Sequence, residues 1–211
     1  SRMTVREALT LLTSDGQVER IQGSGTYVAQ PKLEHRLNLL ASHTESAIQG
    51  AIKPTAKLLE SKRIDASEKI AHALSLPIGQ SVYQIVRVRF GNTTPMVLER
   101  AYFPCDRFPD LLDFDIEHAS LFRILRDEHG VRFGKMVQVL EPILANEFEA
   151  RVLDVSQDSP LMLVCRQIFD ADGRPVEHDR DVYRGDRSRF VSEVDISDWA
   201  NRAGLALAEH D

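Results

Sequence analysis

Apolar residues recur at helical spacing at the start of the chain, and the pattern gives way to strand-like alternation further on. Within residues 2–14 the positions that share one helical face are Val5, Ala8, Leu9 and Leu12. This spacing predicts an amphipathic helix, with Ser1 as its N-cap and turn residues at positions 14–16 as its end. Residues 17–29 then predict two short strands around a Gly-Ser-Gly turn, and therefore a hairpin.

One helix and one hairpin cannot bury enough apolar surface to fold independently. The apolar stripe needs partners that the rest of the sequence does not obviously supply. We therefore expect further helices to precede residue 1 in the natural protein, and residues 1–29 to be the last part of a small N-terminal domain.

The rest of the chain predicts an α+β domain. After a linker over residues 30–41, helices are predicted over residues 43–49, 65–75, 120–129 and 147–153. Asp65 and Glu68 form the predicted capping box of the helix over 65–75, and Ser120 is the predicted cap of the helix over 120–129. Strands are predicted over residues 55–63, 81–90, 96–103, 133–145, 161–169, 176–183 and 190–194. Strands in adjacent pairs favour an antiparallel sheet with packed helices. The domain should span residues 42–197, followed by a tail over 198–211.

Two segments share a plan: "VRVRFGNTTPMVLERAYF" and "VCRQIFDADGRPVEHDRDVY". Each has a strand with arginine, a polar turn with glycine, a proline, and a strand with an early glutamate. Asp172-Gly173 is a strong hairpin signal. Either the two hairpins are related by an internal duplication, or the likeness is the chance result of every hairpin needing a turn.

Composition excludes several classes of protein. Of 211 residues, 43% are hydrophobic and 27% are charged, which is typical of globular domains. No apolar run is long enough to span a bilayer, and two distant cysteines favour a reducing compartment such as the cytoplasm. The net charge is −6; residues 1–32 carry four basic and three acidic side chains, so the remainder carries −7. Nucleic-acid contacts should therefore come from the first segment.

The strongest candidate site lies on the predicted strands. Arg87 and Arg89 share one strand face, and two adjacent arginines repel unless carboxylates or a ligand anion neutralise them. Glu99 on the return strand could neutralise them, and a second set shares a face of the later hairpin: Glu177, Asp179, Asp181 and Tyr183. These residues could line a cavity for a small phosphorylated or carboxylated ligand. Alternatively they are cross-strand ion pairs on a wet sheet face.

Other patterns are weaker. Ser42 and Thr44 at a helix start could bind an anion or merely cap the helix, and Ser120 has the same two interpretations. The sequence has no GxSxG, P-loop, GxGxxG or HExxH motif. A metal, a cofactor and catalysis are therefore not expected.

The chain begins with the stretches "SRMTVREAL" and "GQVERIQGSGTYVA". Together they resemble the end of the winged helix-turn-helix of GntR-family bacterial repressors. In that family they are the recognition helix and the wing. The resemblance implies that operator DNA is contacted by Arg2, Met3, Thr4, Arg6, Ser24, Gly25 and Thr26.

Five further stretches follow in order along the chain: "SHTESAIQG", "LSLPIGQSVYQIVRVRF", "TPMVLERAYFP", "SLFRILRDEHGVRF" and "DGRPVEHDRDVYRGDRSRF". In this order and spacing they resemble the UTRA effector-binding domain of the HutC-like branch of the family, which has a chorismate-lyase-like fold. The resemblance implies an effector pocket formed by Ser42, Thr44, Arg87, Arg89, Glu99, Ser120, Glu177 and Tyr183. His43 and Phe122 depart from the family pattern, where an aromatic residue and a tyrosine are frequent.

The resemblance implies a transcription factor, usually a repressor and a homodimer, whose affinity for DNA is changed by a small metabolite. Sugar phosphates and carboxylic acids of histidine metabolism are effectors of relatives. The acidic residues of the later hairpin would favour a ligand with a cationic or hydroxyl-rich end. The alternatives are a lyase-like enzyme and a dimerisation module that binds no ligand.

Overall fold

A computed structural model describes residues 1–14, 17–21, 23–29, 32–37 and 54–194. The predicted helix over residues 43–49, with Ser42, His43 and Thr44, and the tail over 198–211 lie outside this range. The elements, numbered in chain order, are α1 (Arg2–Ser14), β1 (Val18–Ile21), β2 (Gly25–Val28), β3 (Leu33–Arg36), β4 (Pro54–Asp65), α2 (Glu68–Leu74), β5 (Ser81–Gly91), β6 (Thr94–Pro104), α3 (Leu121–Asp127), β7 (Phe133–Leu144), α4 (Glu147–Leu153), β8 (Pro160–Asp170), β9 (Pro175–Arg184) and β10 (Ser188–Val191).

The N-terminal part is the predicted helix and hairpin. In α1 the Ser1 hydroxyl accepts a hydrogen bond from the Thr4 amide at 3.3 Å, as an N-cap does. Strands β1 and β2 pair antiparallel. Val5, on the apolar stripe of α1, remains 60% exposed. Ala8 of the same stripe is also exposed, whereas Leu9 and Leu12 are half-buried.

The predicted α+β class is confirmed: six antiparallel strands form the main sheet in the order β4-β5-β6-β9-β8-β7. The chain passes twice through the same sequence of elements, first β4-α2-β5-β6 and then β7-α4-β8-β9. The two units meet where β6 pairs with β9. The similar hairpins hold equivalent places in these units, so the topology agrees with an internal duplication. Gly173, with φ 81°, occupies the turn of the second hairpin.

Alternation along the strands gives the sheet two different faces. On one, the α2–α4 face, Ala71 and Leu74 of α2 pack with Val82, and Ala150 and Leu153 of α4 pack with Val86. On the other, the α3 face, Leu121, Ile124 and Leu125 of α3 pack at one end of the sheet. The small parallel pair β3–β10 covers the other end through Leu33 and Phe190. Between α3 and β3–β10 the sheet presents polar side chains.

Three local predictions need correction. Asp65 is the last residue of β4, so the capping box with Glu68 is wrong; the N-cap is Ser67, which makes no side-chain cap hydrogen bond. The predicted linker contains β3, whose pairing with β10 no local pattern could reveal. The last strand runs over Ser188–Val191 rather than residues 190–194, for the same reason. Ser120 does cap α3, accepting from the Arg123 amide at 3.4 Å.

Candidate functional site

A cluster of charged side chains is buried on the α3 face. It is named the charged cluster below and comprises Arg87 and Arg89 on β5, Glu99 on β6, Arg166 on β8, and Glu177, Asp179 and Asp181 on β9. The exposed fraction is zero for Arg87 and 2% for Glu177. The side chains of Glu99 and Arg166 keep 17% and 18% exposure, so these two are the most accessible to solvent. Burial of seven ionisable groups is costly unless they compensate one another.

Glu99 holds the two arginines of β5 together. Its Oε2 accepts hydrogen bonds from Arg87 Nε at 2.7 Å and from Arg89 Nε at 3.1 Å. Arg87 also donates through Nη1 to the carbonyl of Ile116 at 2.6 Å, in the loop before α3. Burial alone would raise the pKa of Glu99, but the charges of Arg87 and Arg89 outweigh it and hold that pKa far below its ordinary value of 4.5. Glu99 is therefore ionised at neutral pH.

Arg166 organises the carboxylates of β9. Its Nη1 donates to Asp181 at 2.6 Å and to Asp179 at 3.3 Å, and its Nη2 donates to the Tyr183 hydroxyl at 2.7 Å. Because burial favours the neutral acid, the pKa of Asp181 lies well above its ordinary value. Burial raises the pKa of Asp179 as well, against the opposing charge of Arg166. One guanidinium thus serves two carboxylates.

Glu177 is the least compensated member of the charged cluster. Within the described part of the chain, its buried Oε2 and the Oδ1 of Asp181 have no hydrogen-bond partner. Burial first, and then the neighbouring charge of Asp179, raise the pKa of Glu177 well above 4.5. With all groups ionised the cluster has four carboxylates against three guanidiniums. It can therefore accept hydrogen bonds or a positive charge from a ligand.

Strand β3 connects the charged cluster with the segment that follows the N-terminal hairpin. The His35 ring packs edge-on against Tyr183, with centroids 4.8 Å apart, and stacks on Phe190 at 5.2 Å. Burial, with a contribution from the charge of Arg166, lowers the pKa of His35 to about 4, so the ring is neutral at pH 7. Through His35, β3 is thus in direct contact with the Tyr183 ring.

Of the eight predicted effector residues, five lie together, one lies nearby, and two lie outside the described residues. Arg87, Arg89, Glu99, Glu177 and Tyr183 belong to or border the charged cluster. Ser120 is buried nearby as a helix cap, next to Ala119, whose carbonyl accepts from Arg87 at 3.3 Å. Ser42 and Thr44 lie outside the described residues. The ion-pair alternative is right about the pairing of Arg87 and Arg89 with Glu99, but these pairs are buried and not on a wet face.

Sequence reasoning missed two residues of this region. Arg166 lies opposite Asp179 in the β8–β9 register, and the pattern of the second hairpin is the signal that identifies it. His35 falls within the predicted linker, and no local signal in the sequence identifies it. Among the residues that the structure describes, no His, Cys, Asp or Glu group is arranged to hold a metal ion.

The predicted DNA-contacting residues lie on the exposed surface of α1 and of the β1–β2 hairpin. Met3 is 70% exposed, and the others are exposed as well, namely Arg2, Thr4, Arg6, Ser24, Gly25 and Thr26. At the hairpin tip the Ser24 and Tyr27 hydroxyls are 2.8 Å apart. No helix within the described ranges is long and apolar enough to cross a membrane.

Comparison with known proteins gives consistent matches. The family model for the UTRA domain matches residues 49–189, and that of the gntR family of bacterial regulatory proteins matches residues 1–28. The chain is 33% identical to the HTH-type transcriptional repressor NagR of Bacillus subtilis, over 92% of this chain and 80% of that protein. It is 30% identical to the histidine utilization repressor of Pseudomonas putida, over 90% and 75% of the two chains. The crystal structure of PhnF from Mycobacterium smegmatis superposes with a TM-score of 0.76 at 32% identity, covering 92% and 85%.

Proposed function

Since the chain belongs to the GntR family of bacterial regulatory proteins and carries a UTRA domain, we propose that it is a ligand-responsive repressor rather than an enzyme. Its N-terminal domain binds operator DNA, and its UTRA domain binds a small polar metabolite in the charged cluster. The protein acts as a homodimer. Because operator DNA lies in the bacterial cytoplasm, that is where the protein acts. The observation that carries the proposal is the buried and incompletely compensated charged cluster beside β3.

The chemistry of the charged cluster suggests what the effector offers. A phosphate or carboxylate group matches the guanidiniums, with Arg166 the most accessible of the three. Hydroxyl or amine groups match the free acceptor atoms of Glu177 and Asp181. A small metabolite with an anionic group and several hydrogen-bond donors satisfies both. A wholly apolar ligand would leave buried charges without partners and is not expected.

The proposed signal runs from the charged cluster through Tyr183 and His35 to β3. An effector that contacts Arg166 changes the position of the Tyr183 hydroxyl, which Arg166 holds at 2.7 Å. His35 lies against the Tyr183 ring, and β3 begins a few residues after β2, the last strand of the N-terminal hairpin. DNA half-sites require a fixed spacing of two recognition helices. A shift of β3 in each protomer changes the population with that spacing and releases the operator.

The DNA arm of the test uses the full-length gene product and fragments selected from genomic DNA. Fluorescence anisotropy measures affinity for the selected fragment. Arg6→Ala should weaken binding and reduce its salt dependence, since the variant removes a phosphate or base interaction. Arg123→Ala removes the same charge from an exposed side chain on α3 and serves as the control. Absence of any selectively bound fragment contradicts the repressor function.

The ligand arm begins with mass spectrometry of small molecules that co-purify with the protein. A thermal-shift panel of sugar phosphates, carboxylic acids and amino compounds follows. A compound that stabilises the protein should also release the selected DNA fragment, and Glu177→Gln should weaken that release while preserving DNA binding. If fragments bind but no compound stabilises the protein, the UTRA domain is a dimerisation module without a ligand.

A further inference from the structure

The α2–α4 face of the main sheet carries polar side chains between the apolar clusters of its two helices. Along β6, Tyr102 packs with the cluster of α2 and Leu98 packs with the cluster of α4. Arg100 lies between them on the same face, because strand side chains alternate. Arg100 is half-buried, so protein encloses most of its surface while part of it keeps contact with solvent.

A second arginine lies directly opposite Arg100 on the neighbouring strand. The β6–β9 register pairs Leu98 with Val182. Two residues further along β6 and two residues back along β9, Arg100 faces Arg180. These two residues are named the arginine pair below. Because like charges at facing positions of an antiparallel pair repel, the arginine pair needs neutralising groups, either from the protein or from a ligand.

The protein neutralises the arginine pair only in part. Glu149 of α4 lies 3.6 Å from Arg180, measured between Oε1 and Nη1, and its carboxylate also closes the capping box of α4. Among the described residues no carboxylate forms an ion pair with Arg100, and its buried Nε has no hydrogen-bond partner there. The charge of Arg100 does act on Glu60, but Glu60 has its own partner in Lys62 at 2.7 Å. Arg100 therefore has no carboxylate of its own.

The side chain of Tyr102 lies among three cations. Burial raises the pKa of Tyr102, and the charges of the arginine pair and of Lys62 oppose that rise, so all three cations lie near this side chain. Two carboxylates, Glu60 and Glu149, pair with members of this group, which leaves one positive charge in excess. This local excess is opposite in sign to the net charge of the chain beyond residue 32.

We propose that the arginine pair, with the Tyr102 hydroxyl and Lys62, is a second binding site that takes a small oxyanion, the phosphate or carboxylate group of a metabolite. One oxyanion between the two guanidiniums accepts hydrogen bonds from both and removes their repulsion. The site is separate from the charged cluster, because alternation directs Glu99 and Asp181 to the α3 face and the arginine pair to the α2–α4 face. Binding here does not require the effector function of the charged cluster.

Cys165 provides a reporter beside this site. It lies opposite Arg180 in the β8–β9 register and is half-buried, whereas Cys105 is 6% exposed. Burial raises the pKa of Cys165, and the charges of Lys69 and Arg180 oppose the rise. An anion at Arg180 cancels part of that opposition and covers the thiol. Alkylation of Cys165 by iodoacetamide at neutral pH, followed by peptide mass spectrometry, should therefore slow at least about threefold in saturating inorganic phosphate, with no change at Cys105.

Two variants and a control assign this protection to the arginine pair. Arg100→Gln and Arg180→Gln should each abolish the protection of Cys165 by inorganic phosphate. Arg100→Gln should also raise the Tm of the phosphate-free protein by about 1–4 °C, because it relieves the repulsion. An arginine with a merely structural role would lower Tm on replacement. Arg132→Gln removes an 80% exposed guanidinium just before β7 and should keep both the protection and the Tm.

Methyl phosphate and acetate distinguish the two sources of the oxyanion. Protection of Cys165 by inorganic phosphate or methyl phosphate identifies a phosphate group, and protection by acetate alone identifies a carboxylate. No protection by any of the three anions overturns the site, as does equal protection in the wild type and in Arg100→Gln. A lower Tm of Arg100→Gln would also contradict the uncompensated charge. Effector-dependent release of DNA would still support the proposed function in each of these cases, and its absence would leave the anion site intact.

Discussion

Replacement of Glu99 by glutamine is the sharpest test of the charged cluster. The variant keeps the size of the side chain and a carbonyl acceptor for the two arginines, but it removes the carboxylate that pairs with both Arg87, at 2.7 Å, and Arg89, at 3.1 Å. Loss of one partner from a buried ion pair costs about 3–5 kcal/mol. A domain of this size has about 5–15 kcal/mol of stability in total, so the effect is large.

The matched control is Glu60→Gln. Glu60 and Lys62 form an ion pair of 2.7 Å, as short as the Arg87–Glu99 distance, but their side chains are 44% and 48% exposed. An exposed pair contributes about 0–1 kcal/mol, because water screens the charges in either state. The two variants therefore have the same chemical change and the same shortest ion-pair distance, and they differ in burial and in the number of paired cations.

Urea unfolding monitored by circular dichroism measures both variants, and thermal scans provide a second readout. At about 2–4 °C per kcal/mol, Glu99→Gln should lower Tm by about 6–20 °C, whereas Glu60→Gln should lower it by no more than about 4 °C. The pKa of Glu99 is depressed in the folded state, so its contribution is present above pH 4.5 and is lost as the pH falls. If Glu99→Gln costs less than about 1 kcal/mol at pH 7, the two arginines are neutralised by other groups and the described electrostatics are wrong.

Three further variants test other parts of the structure. Glu177→Gln should stabilise the ligand-free protein at pH 7. Because the pKa of Glu177 is raised, the folded state holds an extra proton above pH 4.5, and the stability of the wild type falls as the pH rises. In a pH series of urea titrations, the extra stability of the variant should therefore vanish below pH 4.5. Asn146→Ala removes the acceptor of the Glu149 amide at 2.9 Å in the capping box of α4 and should cost about 0.5–2 kcal/mol in the same assay. Gly134→Ala would bring a methyl group within 2.5 Å of the Asp170 carbonyl oxygen, so we expect a loss of about 1–3 kcal/mol and a lower Tm; an unchanged Tm would contradict the close approach of β7 to the β8–β9 turn.

Local patterns in the sequence were sufficient for most elements of secondary structure. Strands β5 and β6 and helices α3 and α4 begin and end within a few residues of their predicted limits, because alternation, capping residues and glycine stops act over short distances. The cap predicted for α2 is wrong, because Asp65 pairs with Ser81 and so continues strand β4. Such long-range pairing overrides a local capping signal.

The sequence by itself also determined which residues of one hairpin act together. Arg87, Arg89 and Glu99 share a face because strand side chains alternate and the hairpin sets their register. The resemblance to the regulator family could also be recognised from the sequence, because each matching stretch is contiguous in the chain. These features depend on neighbours close in sequence.

The tertiary structure decided how the two hairpins combine. Pairing of β6 with β9 brings Glu177, Asp179 and Asp181 beside the β5 arginines and makes one buried charged cluster from two separate ones. The parallel pairing of β3 with β10 places His35 against Tyr183, although the two residues are far apart in the sequence. The alternation in a strand says which face a side chain takes, but not which strand becomes its neighbour, because that choice depends on how all strands and helices together bury their apolar faces.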